Sequence, residues 1–255
     1  MIGGPLLRGL LMLNLHARTL VTLTEVCQLV QWGFGDGAQA RSRTVHEYVV
    51  ISMILSSDTS NIISERYQDR AIFEAVKELK LFEQLRAKGV WRPETEIYDE
   101  RSRAALEARA IRARKCWGDE ITQEYGWARP ALSEAVASRK RILFTDLEQA
   151  VGMDIARFQY IQGNHMIHAG PMAAIRAADF KSQNPHPTHA RIEDHRLANI
   201  GQYATTFLEW STRATVKGFG TMLDEWDDML WLVPLFERTS RTRNLFSSPV
   251  GDPAP

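Results

Sequence analysis

Residues 41–55 read RSRTVHEYVVISMIL, and the fold turns on them. From Tyr48 to Leu55 the segment is apolar nearly all round. A helix with no polar side has to be buried, so this one is expected at the centre of a helical core. The turn before it carries Arg41, Arg43, His46 and Glu47. At about 100° per residue, Arg43 and Glu47 lie about 40° apart, on one stripe with Val50, Ile51 and Ile54. An isolated buried charge costs several kcal/mol, so charges on a stripe that becomes core must be paired or hydrogen-bonded. Arg before Glu is the weaker order for an exposed helix pair. Two readings stay open: a buried ion pair that fixes packing, or the wall of a cleft.

Helical periodicity extends to either side. A first helix is expected over residues 5–31, with Pro5 suited to its opening turn. GFGDG at 33–37 breaks it, and Asp36 with Gln39 three residues later reads as a capping box for the second helix. Asp58, Thr59 and Ser60 offer a cap for a third helix over 60–87, which Gly89 ends. Pro93 and Glu94 open a charged fourth helix reaching about 116, and residues 117–130 are irregular. Short helices near 131–139 and 145–151 lead to QGNHMIHAGP at 162–171. After a polar, proline-broken stretch at 181–191, residues Leu197, Ile200, Ala204, Phe207, Leu208, Ser211 and Thr215 share one helix face. A Trp-rich helix from Trp226 to Leu235 is expected to pack back on the core. The expected class is all-α, a single bundle of long antiparallel helices over 1–239 with an insertion around 90–130. Residues 240–255 form an expected disordered tail.

Composition narrows the function classes. The 31 Lys and Arg balance 31 Asp and Glu, which argues against a general polyanion binder. Cys27 and Cys116 read as small buried hydrophobes of a reducing compartment. No secretory signal stands out and no run makes a convincing membrane span, so a cytoplasmic protein is expected. There is no GxSxG, P-loop or Rossmann fingerprint.

Five of the seven histidines fall between 165 and 195. His165 and His168 are three apart, on one side of a helix. A metal there would need further ligands from His186, His189, Glu193 or His195, without an HExxH or paired ExxH signature. The expectation is no metal and no cofactor, with His168 tied instead into the Arg43–Glu47 pair. A His-based metal hydrolase stays as a third reading. The clusters at 109–115, 139–141 and 238–243 read as cationic helix ends, and Trp210, Trp226 and Trp231 as core or interface residues.

Arg43-Thr44-Val45-His46-Glu47, then Tyr160, then Ile167-His168-Ala169, resemble an uncharacterised family of bacterial helical proteins over roughly residues 10–180. More distantly the chain resembles HEPN domains of toxin–antitoxin and antiphage systems, through Arg41 and His46 at five-residue spacing. Many of those are metal-independent ribonucleases, usually dimeric, in which the arginine steadies a phosphate and the histidine handles the 2′-hydroxyl proton. Here the match falls on the second helix, Ser42 replaces the usual polar residue, and the two side chains are about 140° apart on an ideal helix. If the Arg43–Glu47–His168 cluster is open to solvent, Arg43, His46, Glu47 and His168 are the expected catalytic residues, Arg43 binding phosphate and His168 or His46 moving a proton. Arg41, Tyr160, Asn164 and His165 would contact the substrate, RNA. The reading from another class is a non-catalytic helical module that binds a partner protein or forms a homodimer.

Overall fold

The computed structural model describes residues 4–90, 99–168, 171 and 194–219. The chain is all-α, and no strand occurs among the described residues. Helix α1 spans Gly4–Gln31, α2 Gly35–Ser56, α3 Ile62–Ala87 and α4 Glu100–Trp117. Two short helices follow, α5 at Glu134–Ala137 and α6 at Phe144–Ala150. Then come α7 at Arg157–Ile167 and α8 at Asp194–Phe219. No described helix is long and apolar enough to cross a membrane. Residues 226–235 and the tail from 240 lie outside the described residues.

Two compact units emerge, one of residues 1–8 with 58–150, the other of residues 9–57 with the chain from 151 onward. In the first, α3 carries the arginines that hold the irregular stretch after α4. Arg66 donates from Nε to the Trp127 carbonyl (3.2 Å) and from Nη2 to the Gly126 carbonyl (2.9 Å). Arg70 Nε donates to the Gln123 carbonyl at 2.8 Å. Buried carbonyls outside regular helix need such donors, which explains why two charged side chains are buried on α3. Gly126 is required: a Cβ there would sit 1.8 Å from the Glu120 carbonyl oxygen. The cap expected before α3 is present in altered form. Asp58 accepts from the Ser64 N–H at 2.9 Å and Ser64 Oγ at 3.1 Å, while Asn61 takes the N-cap position in a left-handed conformation (φ 65°).

In the second unit α2 is the central rod, with Val45, Val49, Val50, Ile54 and Leu55 almost wholly buried. The capping box expected at Asp36 does not form, because α2 starts at Gly35 and its N-cap is Phe34, with no side-chain hydrogen bond. Helix α1 runs antiparallel to α2: Val26 meets Ala38 in one cluster with Ile200, and Glu25 pairs with Arg41. Helix α8 runs antiparallel to α1, with His16 Nδ1 2.9 Å from Ser211 Oγ and Met12 against Gly218. Accordingly α8 lies parallel to α2. So does α7, where Gln39 faces Gln159 and Arg43 faces Gly163. Antiparallel pairs of long helices, α1 with α2 and α1 with α8, thus stand beside parallel ones in this unit. Long connections allow parallel neighbours that short loops forbid.

Candidate functional site

Polar side chains collect where α2 meets α7. Arg43 Nη2 stands 2.8 Å from Glu47 Oε1, the two side chains 21% and 26% exposed. The same nitrogen donates to the Tyr160 hydroxyl at 2.9 Å, and that hydroxyl donates to Glu47 Oε1 at 3.0 Å. Arg43 Nε donates to Asn164 Oδ1. Three charged or phenolic groups thus close a ring of hydrogen bonds, with Asn164 holding the far edge of the guanidinium. Beside it Gln39 Nε2 donates to the Gln159 carbonyl and side-chain oxygens, each at 3.0 Å. The Arg43 guanidinium also lies 4.7 Å from the Tyr160 ring centroid, and Arg157 4.8 Å from the same ring.

Close approach of the two helices depends on Gly163. A Cβ there would come 2.7 Å from Arg43 Cβ and 3.0 Å from the Gln39 carbonyl oxygen. Tyr160, Gly163 and Asn164 are i, i+3 and i+4 on α7, one face of one helix turn. Burial, then the Glu47 carboxylate, push the Tyr160 hydroxyl up to about 12, so it remains a donor throughout the ordinary pH range.

His46 sits one turn along α2 and is 1% exposed. Its ring packs 5.5 Å from Tyr160 and 5.4 Å from Phe207, centroid to centroid. The crevice lined by Ser42, His46, Tyr160, Tyr203 and Phe207 is too narrow to hold a water molecule. No substrate reaches the imidazole in this packing.

Of the eight residues expected from the sequence, four come together and four do not. Arg43, Glu47, Tyr160 and Asn164 come together in the network. His46 lies under it, walled by aromatic rings. Arg41 points elsewhere and pairs with Glu25 of α1. His165 is partly exposed on the last turn of α7. His168 does not join the cluster: α7 ends at Ile167, and His168 is exposed with extended backbone (ψ 131°), its N–H donating to the Asn164 carbonyl at 3.1 Å. The expected tie of His168 to the Arg43–Glu47 pair fails because the helix stops at Ile167. Gln39, Gln159 and Gly163 were missed, although a glycine three residues after Tyr160 marks a face that can approach a neighbour closely.

Among the described residues no group of three or more His, Cys, Asp or Glu could hold a metal. His186, His189 and Glu193 lie outside those residues, as does the side chain of His195. Both cysteines are exposed, against the expectation of buried thiols. Cys27 lies on the outer side of α1 and Cys116 on the outer side of α4, whose only buried residue is Ala113. Within the basic clusters, Arg139 pairs with the buried Asp146 at 2.7 Å.

With this geometry on view, the comparison with known families is informative. Residues 10–186 match the model of a family of unknown function, DUF5677. The chain belongs to that family. The DUF5677 match takes in α2, α7 and the whole polar network, together with residues 58–150. No curated protein and no solved structure matches the chain.

Proposed function

We propose that the chain is a non-catalytic helical module that binds protein through the outer side of α1. The observation that carries this is the makeup of that side. Between Leu10 and Gln28 ten residues are exposed, and Arg18 is the one charged residue among them. Leu13, Leu20 and Val21 are 48%, 44% and 58% exposed. A surface helix normally turns charge to water, and an outer side that instead exposes several large apolar side chains with a single charge is suited to a partner.

The polar network fits a supporting role in this reading. Arg43 commits Nε and Nη2 to protein acceptors, and its charge is matched by Glu47. Such a ring fixes the register of α7 on α2, and with it the frame that presents α1. A ribonuclease of the HEPN kind would instead need Arg41 and His46 at one phosphate. Arg41 is engaged with Glu25, and His46 is enclosed.

Two measurements test the reading. Leu13→Glu with Leu20→Glu should leave the chain folded with its helix content unchanged, as for surface positions. Unfolding of that variant would make the face part of the internal core and overturn the proposal. Purified protein should leave single-stranded RNA intact. Cleavage that disappears in His46→Ala, with the fold retained, would overturn it in favour of the nuclease.

A further inference from the structure

On the outer side of α1, Leu10, Leu13, Ala17, Leu20, Thr24 and Cys27 are all exposed. They follow one another at steps of three and four, the seam of a coiled coil. The seam tapers. Its first half holds Leu10 and Leu13, its second half Thr24 and Cys27, with Ala17 and Leu20 between. Two copies in parallel register would stack leucine on leucine at one end and leave threonine and cysteine facing each other at the other. Packing cannot be even along such a seam. Reversing one copy removes the mismatch. With a two-fold axis between Ala17 and Leu20, Leu10 faces Cys27 of the second copy, Leu13 faces Thr24, and Ala17 faces Leu20. Each layer then pairs one large residue with one small.

We infer that α1 pairs with α1 of a second copy of this chain, antiparallel, about a two-fold axis at residues 18 and 19. The inference rests on the reading of α1 as a docking face and names its occupant. Charge agrees: the face carries one cation, Arg18, and at its flank one carboxylate, Glu25, already paired with Arg41, so neither sign is in excess to attract an oppositely charged partner. Extent suits a modest contact. Residues 10–28 make a strip about 27 Å long on a helix about 10 Å across, about 270 Å² of projected face per copy, the size of a weak dimer that forms at micromolar concentrations. A symmetric contact of one patch with itself is also the commonest way that chains associate.

The experiment uses the full chain and its native thiol. Sedimentation should find wild type dimeric at tens of micromolar, and Leu13→Glu with Leu20→Glu monomeric yet folded by circular dichroism. In a Cys116→Ser background, Leu10→Cys should link to Cys27 of the second copy under mild oxidation and run as a covalent dimer. Adding Cys27→Ser should abolish that band. Without the Leu10 substitution no dimer band should form, because the two Cys27 side chains are about 26 Å apart along the antiparallel pair. A monomeric wild type at 100 micromolar with the double glutamate variant folded would overturn the second copy alone and leave the docking face. Unfolding of the double variant would overturn both. Ready linkage of Cys27 to Cys27 would overturn the antiparallel arrangement.

Discussion

Tyr160 does the most at the residue scale, since its hydroxyl accepts from Arg43 and donates to Glu47 in the same ring. That role requires the proton. The folded state holds the hydroxyl at about 12, against an ordinary value of 10.0. A raised value means that stability from this group is complete below pH 10 and is lost as pH rises from 10 toward 12. Phenolate absorbance should therefore show one tyrosine titrating late, and Tyr160→Phe should remove that component. A Tyr160→Phe titration identical to wild type would contradict the network as described. Part of this cluster was legible beforehand. Arg43 and Glu47 share a stripe with core residues, which forces pairing, and Tyr160 and Asn164 were among the residues expected at the site. His168 was misplaced because periodicity says which face a residue would occupy, not where the helix stops.

Among the elements, α1 and α8 are joined by a polar contact, His16 to Ser211. Burial lowers His16 below its ordinary 6.5, so the folded protein favours the neutral ring. The unfolded chain takes up a proton near pH 6.5 before the folded one does. Stability from this contact is therefore complete above 6.5 and declines as pH falls below it. Urea unfolding midpoints should drop between pH 6.5 and 5, and His16→Gln should flatten that part of the profile. An unchanged profile would remove His16 as its source. The long helices were readable to within a few residues, because α1, α2 and α3 each run from a glycine or cap signal through sustained 3.6-residue periodicity. The stretch after α4 was read only as irregular. Its shape comes from α3 arginines reaching carbonyls more than 50 positions away, a tertiary effect that no local pattern encodes. The cysteines failed for a related reason: apolar neighbours in sequence do not say which side of a helix another helix will cover.

At the scale of the whole molecule, each unit depends on one glycine at which two backbones nearly touch. In the unit built on α3 this is Gly126, and no side chain fits there without moving the Glu120 carbonyl. Gly126→Ala should cost about 3 kcal/mol or more, beyond the usual range for a single substitution. Hydrogen exchange should report it as faster exchange along α3, whose Arg66 donates to the Gly126 and Trp127 carbonyls. Unchanged α3 exchange would mean that the clash relaxes at no expense. In the other unit Gly163 plays the same part, bringing α7 onto α2.

Because α7 and α8 lie beside α2 yet follow it by more than 100 positions, a growing chain has to wait for them. At about 5–20 residues per second, the interval between emergence of Leu55 and of Phe219 is on the order of ten to thirty seconds. Until α7 emerges, the valines and isoleucines of α2 have only α1 to shelter them. Ribosome-bound intermediates of this protein should accordingly be good clients for holding chaperones, released only after α8 has emerged.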